Sequence, residues 1–341
     1  MNKTSPFSAF TEKTRPALRE ELSRVVARAA EGGSRFLQEM ITYQLGWTGE
    51  NAGPKAEGKQ IRPLLVLLAT EAAGGEWQAA LPAAAAVELI HNFSLIHDDI
   101  EDQGDLRRGR PTVWKNWGEA QAINTGDAMF ALANLSLVNL EKTVSSEIAL
   151  KASRLFHKTC LHLTQGQHLD IDFESRSEIT LEEYWEMVGG KTAGLLAFSL
   201  EVGALCASVP AEIQNSYRDF GYNLGLAFQA QDDILGIWGN QEQIGKSNTS
   251  DLVTGKKTLP VLYGLEQKKE FSKRWSAGPI TPTETSEIRR ILEEEGGLAY
   301  AQKSAGHLTD LALSALDIAE PQGEAGEALR ELTGRLLKRQ S

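Results

Sequence analysis

The sequence predicts an all-α fold. Ala, Leu and Glu are abundant, runs of alternating β-branched residues are almost absent, and apolar residues recur at helical spacing, as in the stripe Leu18, Leu22, Val25, Val26 and Ala29. With 341 residues, 41% of them hydrophobic, the chain is long enough to bury a large core. Length alone would allow two domains, but the unbroken helical pattern favours one, spanning 14–341 behind a polar, loose segment 1–13.

A formal net charge of −11 argues against a general nucleic-acid partner and leaves any anionic substrate dependent on local basic clusters. Cys160 and Cys206 have neither metal-ligand nor redox spacing, so they read as small hydrophobes in a reducing compartment. The opening MNKTSPFSAFTEKTRP lacks the apolar segment of a signal peptide. No stretch was expected to reach the ~18 apolar residues of a membrane span. A cytoplasmic chain without stable membrane insertion is therefore expected, although its substrate can still be lipid-like.

A first helix is expected from near Pro16 to the Gly32-Gly33 pair, and a second near 35–43 before a loop with glycine and proline, 46–58. Gly58-Lys59-Gln-Ile-Arg62-Pro then leads into an apolar helix; in helical spacing Lys59 and Arg62 share a face and can grip one anion. A long helix over 79–102 follows, carrying His91 and then Asp98, Asp99 and Asp102. Gly104, Gly109 and Pro111 make 103–114 a loop that bears Arg107, Arg108 and Arg110. Further helices are expected over 118–139, 145–173, 181–188, 195–207 and 211–237, with Thr180 capping the short one. The Gly189-Gly190-Lys191-Thr192 stretch interrupts that series, exposing backbone carbonyls and offering Lys191 to an anion. Residues 239–255 read as a loop with Lys246 and Asp251, residues 272–285 as a surface loop, and the remainder as two or three helices ending in basic residues.

The chemistry lies in two carboxylate clusters. Asp98 and Asp102 stand one turn apart on one helix face, a costly arrangement unless a cation sits on it. Hard divalent ions suit such a site, because Mg²⁺ takes one or two carboxylates and completes its shell with water and substrate phosphate. Alone, this cluster is also compatible with a solvated acidic helix end, and the basic residues with solvated turns. The second cluster, Gln229-Ala-Gln-Asp232-Asp233-Ile-Leu-Gly236, also follows an apolar helical run. Apolar helices below carboxylates and cations point to a substrate with a diphosphate head and a hydrocarbon tail. No Ser-His-Asp or Cys-His arrangement suggests a protein nucleophile.

The ordered set Gly58-Lys59-x-x-Arg62-Pro, Asp98-Asp-x-x-Asp102, Arg107-Arg108-Gly, Lys191-Thr192, Gln229-x-x-Asp232-Asp233 and Lys256 resembles the trans-type isoprenyl diphosphate synthases of the polyprenyl synthetase family over nearly the whole chain. That resemblance implies an antiparallel helix bundle around a central cavity, the isoprenoid synthase type I fold, in a prenyltransferase that joins isopentenyl diphosphate head-to-tail to an allylic diphosphate. It implies two to three Mg²⁺ ions, with Asp98, Asp102 and Asp232 as principal ligands and Asp99 and Asp233 beside them. Arg107, Lys191, Thr192, Gln229, Lys246 and Lys256 would hold the allylic diphosphate, and Lys59, Arg62, His91 and Arg108 the isopentenyl diphosphate. Asp98, Asp102, Lys191, Gln229 and Asp232 would carry catalysis, and the chain would pair as a homodimer. Phe93 and Ser94, just before the first motif, would set chain length near C20 geranylgeranyl diphosphate, with farnesyl, C25 or longer products as alternatives. Gly236 departs from the family's last aspartate, which puts the third metal in doubt and leaves room for a noncatalytic subunit. A class I terpene cyclase is the other alternative, but it has no use for Lys59, Arg62 and Arg108.

Overall fold

The computed structural model describes residues 5–31, 35–239 and 251–337. These fall into two compact units, the first made of Met1–Phe156, Ser199–Asn215 and Ala319–Glu331, the second of His157–Phe198, Ser216–Ile318 and Leu332–Ser341. The chain runs through α1 (Pro6–Val26), α2 (Arg35–Gln44), the single turn α3 (Pro54–Glu57), α4 (Ile61–Ala72) and α5 (Leu81–Glu101). Strands β1 (Leu106–Arg107) and β2 (Arg110–Pro111) precede α6 (Val113–Trp117), α7 (Glu119–Val138), α8 (Ser146–Ser175) and α9 (Leu181–Val188). A π-helical turn, Gly189–Ala193, joins α9 to α10 (Gly194–Cys206), which is followed by α11 (Ala211–Trp238). The last helices are α12 (Asp251–Thr254), α13 (Leu259–Glu266), α14 (Glu270–Ser276), α15 (Thr285–Glu294), α16 (Gly297–Ile318) and α17 (Gly323–Leu337). The all-α expectation holds, with one two-stranded hairpin as the exception among the described residues.

In the first unit α5 is the organising helix. Proline stands in its first turn, and Ala83 to Ile90 are all buried, so the helix can pack closely along α7 and α4. By length and composition the stretch Trp77–Glu101 does qualify as a membrane span, contrary to expectation, but 67% of its most apolar window is buried inside the protein. The start of α1 also differs from expectation. Ser5 caps the helix, accepting from Ser8 N, and Pro6 occupies the first turn, so the helix begins ten residues before Pro16 and residues 6–13 are helical. Phe10 and Thr14 are buried, and the Phe7 amide donates to Glu331 (2.9 Å), which anchors this early half. Pro16 sits inside the helix, where it has no N–H to donate to the preceding turn.

The hairpin replaces part of the loop expected over 103–114. Leu106 pairs with Pro111 and Arg107 with Arg110, while the two turn residues Arg108 (φ 53°) and Gly109 (φ 74°) both adopt the left-handed conformation that a tight two-residue hairpin demands.

In the second unit, Tyr184, Met187, Val188, Leu226, Ile234 and Leu259 belong to one buried cluster. A second cluster takes in Ile280 of the expected 272–285 loop, whose first residues continue α14. The start of α9 carries a reciprocal cap, in which Thr180 and Glu183 each bond the other's backbone N–H. The π-helical turn depends on a close backbone crossing with α8. A Cβ at Gly166 would overlap Lys191 N, and one at Gly190 would stand 2.6 Å from His162 O.

Gly166→Ala should therefore destabilise the protein by about 1–3 kcal/mol through overpacking. Gly306 in α16 has nothing within 4 Å of its missing Cβ, so Gly306→Ala should instead stabilise by about 0.5–1 kcal/mol. Denaturant melts of both variants check this; equal shifts would contradict the close crossing.

Candidate active site

In the first unit, the acidic end of α5 meets the hairpin. Asp98 and Asp99 are adjacent, so helical geometry turns them about 100° apart. The Asp98 side chain is 23% exposed and that of Asp99 6%. Arg107 Nε donates to both oxygens of Asp99 (2.8 and 2.9 Å), and its Nη2 lies 2.8 Å from Asp99 and 3.5 Å from Asp98. The carboxylate of Asp99, expected among the metal ligands, is thus committed to holding Arg107. Burial raises its pKa, and Arg107 opposes that shift. Asp102, which ends α5, is exposed.

The three clustered arginines have separate jobs. Arg110 is buried, donating to the carbonyls of Glu50, Tyr43 and Thr48 and stacking on the Tyr43 ring at 4.0 Å, so it braces the hairpin. Arg107 serves the aspartates. Arg108 donates to Ala56 O (2.7 Å), with its guanidinium lying so close to Gly58 that a Cβ there would approach to 2.6 Å. Lys59 and Arg108 line one cavity of about 610 Å³. Arg62 bonds His91 Nε2 (3.2 Å), and burial followed by the charges of Arg62 and Arg108 keeps the His91 pKa well below 6.5. His91 is thus a neutral ring at physiological pH.

Behind this cation group lies a carboxylate absent from the sequence-derived set. Glu88 is 2% exposed, accepts one bond from Asn92 (2.8 Å) and keeps its other oxygen without a partner. Burial raises it to about 7, although Asn92, Arg108 and Arg62 favour its ionised form.

Ahead of Asp98, Phe93 packs against His97 (ring centroids 4.6 Å apart) and Phe130 (5.4 Å), and Phe130 in turn faces Phe156 (6.4 Å). Ser94 bonds the His91 carbonyl (2.8 Å). The aromatic backing of Phe93 was not visible in sequence because α7 and α8 supply it.

The second unit repeats the division of labour. Asp232 is half-exposed, whereas Asp233 is 3% exposed and accepts from Tyr184 (2.5 Å), Leu259 N (2.8 Å) and Gln229 (2.9 Å). Burial pushes Asp233 up to about 6 against these donors. Gln229 accepts in turn from Thr192 (3.2 Å), and Lys191 pairs with Asp170. Desolvation lowers the Lys256 pKa, but Asp170, Asp233 and Asp251 outweigh it and leave the ammonium above its usual value. Asp170 and Tyr184 were therefore missed; only the pattern around Gln167 and Asp170 in α8 offered a signal. Lys246 lies outside the described residues.

Gly236 now has a physical explanation. A Cβ there would overlap the Asp251 carboxylate, so a carboxylate from α12 occupies the space next to the position where the family pattern has its own.

Among the described residues, no three His, Cys, Asp or Glu side chains form a closed metal cage. Taken unit by unit, Asp98 and Asp102 in the first and Asp232 in the second offer hard carboxylate oxygens with solvent access, the donor type that Mg²⁺ takes together with water and phosphate. Cys160 and Cys206 take no part: burial pushes both thiols up to about 12.

Helix-end carboxylates beside grouped cations define a class of enzyme that handles diphosphate esters. The chain belongs to the polyprenyl synthetase family, whose model matches residues 51–294, and its activity is that of a prenyltransferase. It is 37% identical over 346 residues to the (2E,6E)-farnesyl diphosphate synthase of Mycobacterium tuberculosis strain H37Rv, an alignment covering 97% of this chain and 95% of that one. Among solved structures it resembles a geranylgeranyl pyrophosphate synthetase from Pyrococcus horikoshii (TM-score 0.86, 32% identity, 98% of each chain covered). It also resembles a polyprenyl synthase from Caulobacter crescentus complexed with calcium and isoprenyl diphosphate (TM-score 0.79, 29% identity, 100% of each chain covered).

The Glu88 pKa yields a test. Folding raises it from its ordinary 4.5 to about 7, so Glu88 adds stability at low pH that is lost as pH rises through about 7. Glu88→Gln should remove that loss, on the order of 3 kcal/mol across the window. Denaturant melts between pH 4.5 and 8 read it; parallel profiles for the two proteins would contradict it.

Proposed function

We propose that the chain condenses an allylic diphosphate with isopentenyl diphosphate and releases a C20 product, geranylgeranyl diphosphate. The observation that carries this reading is the contrast between Asp98, Asp102 and Asp232, which all keep solvent access, and the buried Asp99 and Asp233. Asp98 and Asp102 of the first unit and Asp232 of the second would hold Mg²⁺ for the allylic diphosphate; the buried two hold the residues that would touch it in place. Magnesium, when bound, neutralises the diphosphate and makes it a better leaving group.

Arg107, fixed by Asp99, and Lys191 and Lys256 add fixed positive charge to the leaving diphosphate as its carbon–oxygen bond breaks. The carbonyls of the π-helical turn, Thr192 Oγ1 and Gln229 Oε1 offer oxygen dipoles to the allylic cation. Lys59, Arg62, His91 and Arg108 hold the isopentenyl diphosphate without metal, and neutral His91 can donate a hydrogen bond while leaving the cradle's charge to its neighbours. The double bond of isopentenyl diphosphate attacks the cation, and the proton lost from the adduct passes to the released diphosphate. Apolar helix faces keep water from the cation.

Phe93, backed by Phe130, serves as the floor for the growing chain. A C15 product is the second reading, favoured by the 37% identity to a farnesyl diphosphate synthase over 97% of the chain. Cytoplasmic action fits the two buried or half-buried free cysteines. Exposed Ile123, Leu135 and Val138 on α7 support a homodimer, which native mass measurement checks.

Incubation of the purified chain with Mg²⁺, isopentenyl diphosphate and each allylic primer tests the proposal. The expected product is C20, and Phe93→Ala should lengthen it. No prenyl product from any primer would overturn the activity, and unchanged lengths in the variant would remove Phe93 as the floor.

A further inference from the structure

The cavity bearing Lys59 and Arg108 extends past every residue that the sequence motifs account for. Arg15 of α1 and Lys55 of α3 line it as well, together with apolar walls that include Phe7, Pro54 and Ile61. Its volume of about 610 Å³ lies within the usual range for small-molecule pockets, roughly 300–1,000 Å³. Four cations therefore face one space in a protein whose net charge is −11.

Such a grouping is normally relieved by nearby carboxylates. Here Glu57, the acidic neighbour on the same turn as Lys55, is taken by Arg19 at 2.9 Å, and Arg19 also lies over the Trp47 ring at 3.8 Å. Glu331 accepts the Phe7 amide. Among the described residues neither Arg15 nor Lys55 makes an ion pair. The helix supporting Arg15 is held by buried Phe10 and Thr14, and Lys55 sits on a turn closed by the Glu57 N to Gly53 O bond (2.9 Å). Both cations are exposed, so they are solvated in the empty protein and cost little while they wait for an anion.

We propose that Arg15 and Lys55 form a metal-independent capture site for an organic diphosphate in this cavity, where isopentenyl diphosphate is first caught beside Lys59 and Arg108. This rests on the functional reading above and adds two residues that no motif contains. An anionic substrate approaching a strongly acidic protein is repelled at long range, and a cationic, apolar-walled cavity reverses that repulsion locally and raises the productive encounter rate. Because the pair acts before the reacting geometry forms, it controls capture and leaves the chemical step untouched.

The double variant Arg15→Gln/Lys55→Gln tests this in the full chain; both positions are on the surface, so folding should be preserved. With saturating Mg²⁺ and allylic diphosphate, the KM for isopentenyl diphosphate should rise about tenfold, while kcat and the KM for the allylic substrate stay within about twofold. Added salt should raise that KM less steeply in the variant than in the wild type. Calorimetry with inorganic diphosphate in the absence of metal should show the same weakening. An unchanged KM together with unchanged metal-free diphosphate affinity would overturn the capture site, as would an equal rise in both substrates' KM values. A wild-type protein that makes no prenyl product would instead overturn the functional reading, and the calorimetry would still decide whether Arg15 and Lys55 bind diphosphate.

Discussion

Adjacent residues on a helix point about 100° apart, and both acidic clusters of this protein are built on that geometry. In each Asp-Asp pair one carboxylate reaches solvent while its neighbour turns inward to hydrogen bonds from the protein. Asp99 holds Arg107, and Asp233 gathers Tyr184, Gln229 and the Leu259 amide. The inward member is costly to bury, as the raised pKa values of Asp99 and Asp233 show. Its donors offset much of that cost, and in exchange a flexible arginine and a glutamine are held in fixed positions. A motif that reads as a run of interchangeable acids is thus a set of solvent-reaching carboxylates interleaved with buried braces.

Backbone proximity plays the matching part in the second unit. Glycines at 166 and 190 let α8 and the π-helical turn approach more closely than any side chain would permit, and Lys191 and Thr192 project from that crossing. The wider helical turn leaves carbonyls less regularly paired than an α-helix does, a feature often found at functional sites. In the first unit, Gly58 performs a similar service by making room for the Arg108 guanidinium, while the left-handed Arg108 and Gly109 direct the hairpin that carries both arginines.

Much of this was legible in the sequence, because helical periodicity and glycine or proline punctuation are local signals. The helices α7, α8, α9 and α11 begin and end within two residues of the expected bounds, and the cap at Thr180 is where the capping pattern puts it. The start of α1 was misplaced because Pro16 resembles a first-turn proline, while Ser5-Pro6 is the pair that caps the helix. What local patterns cannot show is which of two neighbouring aspartates faces inward, since that depends on Arg107 and Tyr184 arriving from other elements. The same limit hid Asp170 beside Lys191, Phe130 behind Phe93, and Asp251 beside Gly236. Gly236 looked like a lost ligand when read along the chain; in space the Asp251 carboxylate, fifteen positions downstream, lies beside it, a proximity no local motif encodes.

The division between ligand and brace is measured most directly by comparing Asp232→Asn with Asp233→Asn. Inorganic diphosphate binding is followed by calorimetry with and without Mg²⁺, alongside a thermal melt of each variant. Asp232→Asn should lose the magnesium-dependent part of binding and melt as the wild type does. Asp233→Asn, which sets an amide N–H against buried donors, should lose about 1–3 kcal/mol of stability yet keep the magnesium dependence. Loss of magnesium-dependent binding in Asp233→Asn with an unchanged melt, or its retention in Asp232→Asn, would contradict the account.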